Sequence, residues 1–235
     1  MNLDHAFQVS DGAVKGNNFS LTKSESNHAI RVLRLRKHDE LCLLDGIGNG
    51  YRASIESPDP ACVSGKILEI IPNYGENTFF IHLGIALIKR DRFEFILEKS
   101  TEMGVREITP LNLDQCVKKT VNSQRCEKIV VTAAKQCRRS RFPIIHPSVR
   151  LHDFFVYPRG QVIAGKMNAG VTLKFLELNS SLPVHVIIGP EGDFSEQETK
   201  LMDDNDVAYF NLGNRRLRSE TAALNSIAIL NELLG

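Results

Sequence analysis

The chain has 235 residues, 42% hydrophobic and 24% charged, and has no low-complexity segment, which excludes a disordered or fibrous protein and leaves room for one large domain or two smaller ones. Its formal net charge of +1 neither demands nor excludes a nucleic-acid partner, so the placement of the basic residues has to decide. Five cysteines without a C-x-x-C pair exclude a disulfide scaffold and a cysteine zinc site, and the longest apolar run, near residues 79–88, contains His82 and is far short of a bilayer span.

Met1-Asn2-Leu3-Asp4-His5 carries neither the basic nor the apolar region of a secretory signal, so the expected location is the cytoplasm, with no membrane partner. Residues 1–74 read as a small β-rich unit, in which 40–44, 51–57 and 63–71 are apolar or alternating runs bounded by turn residues. Asp45-Gly46-Ile47-Gly48-Asn49-Gly50 has the glycines of a phosphate loop, but a strand follows it where a phosphate loop needs a helix. A hairpin connection is the better reading. Residues 72–77 read as a linker.

From residue 79 strands alternate with helices. A buried strand is expected at 80–88, then a helix capped by Asp91, with Glu94 completing a capping box. Phe93, Ile96, Leu97 and Ser100 share one face of that helix, and Gly104 ends it. A strand at 105–111 completes a βαβ unit, whose crossover should be right-handed. A longer helix is expected at 123–138, with Cys126, Ile129, Val130, Ala133 and Cys137 on its inward stripe. Further strands are expected at 161–164 and 184–188, and a last helix at 221–234 buries Ala223, Ile227, Leu230 and Leu234. The pattern predicts an α/β domain over 78–235 with a largely parallel sheet.

The chemistry gathers in two loops near the C-terminus. Ile188-Gly189-Pro190-Glu191-Gly192-Asp193 lies between a strand and a helix that Ser195 and Glu198 start as a capping box. Its glycines allow close backbone approach, and its two acids argue against a phosphate cradle. The second loop, Leu212-Gly213, is followed by Arg215, Arg216, Arg218, Ser219, Glu220 and Thr221. Either Ser219 or Thr221 is the helix N-cap, and Glu220 suits the helix dipole, but three arginines in four positions call for an anion or a developing oxyanion. Loops of this kind lie beyond the carboxyl ends of strands in open α/β sheets, where ligands bind. Basic clusters occur at Arg31, Arg34, Arg36 and Lys37, at Lys89, Arg90 and Arg92, at Lys118 and Lys119, and at Arg138, Arg139 and Arg141. Taken singly each is explained by solvation. Together, with Phe142 beside the last, they suit a nucleic-acid surface, and Arg31, Arg34, Arg36, Lys89, Arg138 and Arg141 are the expected contacts. The seven histidines, including His28, His82 and His185, show no metal-ligand spacing, and no metal is expected. G-x-S-x-G, H-E-x-x-H and P-loop motifs are all missing, which removes hydrolase and NTPase readings.

At these residues the chain resembles the RsmE family of SPOUT-superfamily methyltransferases, which methylate N3 of a uridine in small-subunit ribosomal RNA. The resemblance rests on Ile188-Gly189-Pro190-Glu191-Gly192-Asp193-Phe194-Ser195, Leu212-Gly213 and Leu217-Arg218-Ser219-Glu220-Thr221-Ala222. It extends to Glu98-Lys99-Ser100-Thr101-Glu102-Met103-Gly104, to Gln136-Cys137-Arg138-Arg139-Ser140-Arg141 and to residues 28–35, so it covers nearly the whole chain. It implies an α/β SPOUT methyltransferase domain with a C-terminal trefoil knot over 78–235, preceded by a small PUA-like β-barrel RNA-binding domain over 1–74. It also implies S-adenosyl-L-methionine as cofactor, a homodimer, and 16S ribosomal RNA in the small ribosomal subunit as partner.

Carried over by position, the cofactor would lie on the backbone around Ile188, Gly189, Gly192, Leu212, Leu217 and Ala222, with Gly165, Pro190, Glu191, Gly213, Ser219 and Thr221 beside them. The chain departs from the family pattern at Asp193, where glycine is commoner, at Ser219 for threonine, and at Cys137-Arg138 for Ser-Gly. The uracil imide must lose its N3 proton to attack the methyl group, and a cation near the uracil oxygens lowers that barrier. Arg218 is the first candidate for this role and Arg139 the second; Glu220 or Glu102 would accept the proton. The competing readings are a non-catalytic RNA-binding or assembly factor and a SPOUT enzyme acting on a ribose 2′-oxygen.

Overall fold

Turn chemistry and side-chain alternation build the N-terminal part. The structure, a computed structural model, describes residues 5–10, 12–116, 120–156 and 160–235; Lys118 and Lys119 lie outside them, as do Met1 to Asp4. The first strands are β1 (Ala6–Gln8), β2 (Val14–Lys15), β3 (Asn18–Ser20), β4 (Glu40–Leu44), β5 (Asn49–Ser57) and β6 (Ser64–Pro72). A short helix α1 (Lys23–Asn27) runs into a π-helical turn at His28–Val32. The strands pair in the order β1-β4-β5-β6-β3-β2, with only β1 and β4 parallel. Phe7 and Val9 near one end of that order share a core with Phe19 and Leu21 near the other, around Leu41, Leu43, Ala53 and Ile55. A flat sheet cannot fold both ends onto one core, so this sheet is curved as a barrel wall is.

Asp45 explains why its glycine-rich neighbours form a hairpin. Its carboxylate accepts from the N–H groups of Ile47, Gly48 and Asn49 at 2.9–3.0 Å and from the Asn49 amide at 2.7 Å. The donors a phosphate would need are thus already taken, by an Asx-type turn. Burial alone would raise the Asp45 pKa, but the bonds from Asn49, Ile47 and Gly48 outweigh it and hold it below the ordinary value.

Two compact units result: residues 1–76 with 131–142, and residues 77–130 with 143–235. The helix α3 (Ser123–Cys137) is divided between them. In the first unit Lys135 reaches Glu25 at 2.7 Å. Arg139, 1% exposed, donates to both carboxylate oxygens of Glu76 at 3.3 and 3.0 Å, and the Arg141 N–H donates to the same carboxylate at 2.8 Å.

The second unit adds β7 (Ile81–Ala86), α2 (Arg90–Glu102), β8 (Glu107–Leu111), β9 (Ile144–Ile145) and α4 (Leu151–Phe154). It continues with β10 (Gln161–Gly165), β11 (Val184–Ile188), α5 (Glu196–Asp203), β12 (Ala208–Phe210) and α6 (Ser219–Leu234). Its strands run β12-β10-β11-β7-β8-β9, every pair parallel. β7 and β11 are buried throughout, as the strands of a covered parallel sheet should be, and each carries one histidine, His82 and His185, among its apolar residues.

Two caps differ from expectation. Lys89, not Asp91, is the N-cap of α2 and makes no side-chain bond; Asp91 sits inside the first turn, where the helix dipole favours it. Glu94 does not close a capping box: its partners are Arg125 at 2.7 Å and Arg90 at 2.7 Å, and these two bonds hold its pKa down at about 2. At α6 the N-cap is Arg218, again without a side-chain bond, so neither Ser219 nor Thr221 caps it. By contrast the Ser195–Glu198 box forms in both directions, at 3.2 and 2.8 Å.

Two substitutions test these energetics. Arg139→Met leaves the Glu76 carboxylate buried without its counter-charge, and denaturant unfolding should show a loss of about 3–5 kcal/mol. Asp193 holds φ at 68°, a left-handed conformation that glycine adopts without strain. Asp193→Gly should therefore stabilise by up to about 1 kcal/mol, read as a rise of about 2–4 °C in melting temperature.

Candidate functional site

Three strands of the second unit end level with one another. Gly165 at the end of β10 is the register partner of Ile188 on β11 and of Phe210 on β12. The loops that leave these ends, with the start of α6, enclose a cavity of about 280 Å³. This is near the lower end of the roughly 300–1,000 Å³ usual for ligand pockets. Its floor and walls are apolar at Ile188, Phe210, Leu212, Leu217 and Ala222, and its rim carries both signs of charge: Glu191 and Asp193 against Lys166, Arg215 and Arg216. Gly213 stands at φ 98° with open space where a Cβ would lie, so only the backbone borders the cavity there.

The three loops are stitched together. Asn211, just after β12, donates its amide to the Ala169 carbonyl at 2.7 Å, and its Oδ1 accepts from Thr172 Oγ1 at 3.1 Å and from the Gly213 N–H at 3.0 Å. Ser219 Oγ donates to the Gly189 carbonyl at 2.8 Å, which joins the start of α6 to the first glycine loop. Arg216 donates to the Glu191 carbonyl. Arg92 on α2 pairs with the Glu191 carboxylate and lies 3.4 Å from Glu220 Oε1, so one guanidinium spans the loop and the helix start.

Most of the residues expected to hold a cofactor line this cavity: Gly165, Ile188, Gly189, Pro190, Glu191, Leu212, Gly213, Leu217, Ser219 and Ala222. Gly192 and Thr221 do not. A Cβ on Gly192 would meet the Gln115 side chain, and Thr221 is exposed on α6. The loop after β10, with Lys166, Met167 and Asn168, lines the cavity and was not anticipated, nor were Phe210 and Asn211; Asp193, Arg215 and Arg216, already singled out in the two loops, line it as well. Asn168 and its neighbours carry no motif, but they leave a strand end of the same kind as the other two, and that was their only signal.

The proposed chemical groups are spread more widely. Arg218 is exposed between the cavity-lining Leu217 and Ser219. Glu220 lies one residue further, with Oε2 buried and without a hydrogen-bond partner among the described residues. Glu102 pairs with Lys99 at 2.9 Å. Arg139 belongs to the first unit, where its guanidinium is enclosed on Glu76; it presents no cationic surface to a substrate. Of the expected RNA contacts, Arg31, Arg34 and Arg36 are exposed on the first unit and Lys89 on the second. Arg138 and Arg141 are half-buried, Arg141 donating to Asn73 at 3.0 Å. No helix among the described residues is long and apolar enough to cross a membrane.

Residues 75–231 match the family described as the RNA methyltransferase domain, and residues 21–67 match the RNA methyltransferase PUA domain. Over 226 residues the chain is 27% identical to the ribosomal RNA small subunit methyltransferase E of Rickettsia conorii, covering 94% of this chain and 92% of that one. The protein of the same name from Synechocystis sp. is 30% identical over 224 residues, or 92% of this chain and 73% of that one. Among solved structures, the ribosomal RNA small subunit methyltransferase E of Neisseria gonorrhoeae, bound to S-adenosyl methionine, superposes with a TM-score of 0.88 at 25% identity over 97% of each chain. A probable rRNA methyltransferase from Porphyromonas gingivalis gives a TM-score of 0.85 at 27% identity over 98% of each. The chain is a member of the RNA methyltransferase family, with the PUA domain of that family in its N-terminal part.

Proposed function

We propose that the chain transfers a methyl group from S-adenosyl-L-methionine to N3 of a specific uridine in 16S ribosomal RNA. The observation that carries this reading is the cavity at the level ends of β10, β11 and β12, inside the segment that matches the RNA methyltransferase domain. Its residues fit the cofactor. Apolar walls suit an adenine ring, carboxylates at Glu191 and Asp193 suit cationic charge, and Lys166, Arg215 and Arg216 suit a carboxylate. The names of the relatives, and the S-adenosyl methionine bound in the Neisseria structure, support both cofactor and substrate.

When bound, the cofactor supplies a methyl group on a sulfonium, already electrophilic, so the transfer calls for no metal. The N3–H bond breaks and its proton leaves to a base; N3 then bonds to the methyl carbon as the carbon–sulfur bond breaks, leaving a thioether. The chain's part is to favour the uracil anion. Arg218, exposed beside the cavity rim, stabilises charge on the uracil oxygens. Glu220 faces Arg92 through Oε1, and its Oε2, buried and without a hydrogen-bond partner among the described residues, is the better proton acceptor; both oxygens of Glu102 accept from Lys99. The part of Arg139 is to pin residues 131–142 onto their own unit.

Residues 1–74 are on this reading the PUA-like RNA-binding domain, and 78–235 the SPOUT domain, its C-terminal segment threaded as a trefoil knot. Arg31, Arg34, Arg36, Lys89, Arg138 and Arg141 meet phosphates, and the working form is a homodimer in the cytoplasm. Cysteines that all remain thiols suit that compartment.

The test is to map the methyl group. Small-subunit rRNA from a strain lacking the gene should gain one N3-methyluridine on incubation with the protein, read by mass spectrometry; a 2′-O-methyl product, or none, would refute the reading. In the same assay Arg218→Ala should lower the rate by about 100-fold or more with RNA affinity unchanged. Arg92→Ala, which unties Glu191 from Glu220, should weaken cofactor binding about 5–10-fold in calorimetry, and Arg92→Lys should recover part of it.

A further inference from the structure

Three of the seven histidines, far apart in sequence, meet at one place in the second unit. Register brings them there: His185 on β11 is the partner of His82 on β7, and His82 is the partner of Glu107 on β8. In-register residues of parallel neighbours project from the same face, so these three form a row. Thr109, two residues beyond Glu107, and His146, just after β9, complete the group. His82 Nε2 lies 2.7 Å from Thr109 Oγ1 and its Nδ1 3.0 Å from His185 Nδ1; His146 Nε2 lies 2.7 Å from Glu107 Oε2. Phe154 covers the row, with its ring centroid 4.9 Å from that of His82.

Polar groups inside an apolar sheet carry a desolvation penalty, so a cluster of them needs a reason. His82 is wholly buried, and this burial, then the rings of His185 and His146, push its pKa down to about 3. An imidazole ligates a metal through its unprotonated ring nitrogen.

We propose that His82, Glu107 and His146 form a binding site for one divalent transition-metal ion of the zinc type. One donor atom from each lies within 4.8 Å of the other two. Bonds of about 2.1 Å at tetrahedral angles set ligand atoms roughly 3.4 Å apart, so closure takes side-chain shifts of roughly 1 Å. The hydrogen bond between Glu107 and His146 would open to admit the ion between them. Each side chain is 20% exposed, which also gives the ion an entry path and a position for water. Two imidazoles and a carboxylate are a known zinc donor set, too nitrogen-rich for calcium or magnesium. His185 orients the buried ligand: with the proton on His82 Nδ1 donated to His185, the lone pair of His82 stays on Nε2. The site lies at the start of the strands and the cavity at their ends, so the ion would fasten β7, β8 and the segment after β9 without entering the methyl transfer.

Metal-stripped protein titrated with Zn²⁺ alone should take up one ion per chain in calorimetry and melt at a higher temperature. Co²⁺ in its place should give a visible spectrum without a thiolate charge-transfer band, which separates this site from the cysteines. His146→Ala and Glu107→Gln, each checked for fold by circular dichroism, should weaken uptake at least about 10-fold while methylation without added metal is unchanged. The absence of uptake by the wild-type chain, a cobalt–thiolate band, or undiminished uptake in both variants overturns the proposal. Should either variant misfold, the wild-type cobalt spectrum alone decides between these outcomes.

Discussion

The candidate site depends on the way β10 is paired along both edges. With β11 on one side and β12 on the other, both parallel and in fixed register, Gly165, Ile188 and Phe210 finish at one level. Parallel pairing is what makes this possible, since it sends all three chains out through the same edge of the sheet. Were β12 shifted by one residue along β10, Phe210 would turn to the other face and the cavity would lose a wall. The loops themselves have little apolar material with which to order one another. Their geometry is set by the strand ends and then completed by Asn211, Ser219, Arg216 and Arg92.

That division of labour explains the mixed charge at the rim. A pocket built for a simple anion would keep acids away, and one built for a simple cation would keep arginines away. Here Glu191 answers Arg92 through its side chain and Arg216 through its carbonyl, so part of its charge is already spent on holding the loop. Asp193 likewise accepts from the next N–H, of Phe194, at 2.9 Å, which helps a non-glycine residue hold a left-handed turn. Glycine would hold that φ without strain, so the bond to Phe194 is what this side chain adds.

Much of this was legible in the sequence because it is local. The strands at 40–44 and 184–188, the Ser195–Glu198 box and the buried stripe of α6 follow from periodicity and capping within a few residues. The caps of α2 and α6 were misplaced because long-range partners took the side chains: Arg125 claims Glu94, and the Gly189 carbonyl claims Ser219. Residues 131–142 could not be assigned to the first unit from a helix pattern that continues without a break, since the deciding contacts reach back to Glu25 and Glu76. Arg139 shows the hazard most clearly. In a run of arginines it looks like surface, and only its carboxylate partner, 63 positions away, reveals a buried ion pair.

The histidines carry the same lesson to the other end of the sheet. His82, Glu107, His146 and His185 have no spacing that a helix or a hairpin would recognise, because each comes from a different strand or strand exit. A parallel sheet with helical crossovers places its in-register neighbours tens of residues apart, so a donor set assembled along a row leaves no local motif. The same rule hid the Lys166–Asn168 loop from the cavity. Strand order, once known, turns both into simple consequences of register: residues level at the strand ends share the cavity, and residues level at the strand starts share the polar row.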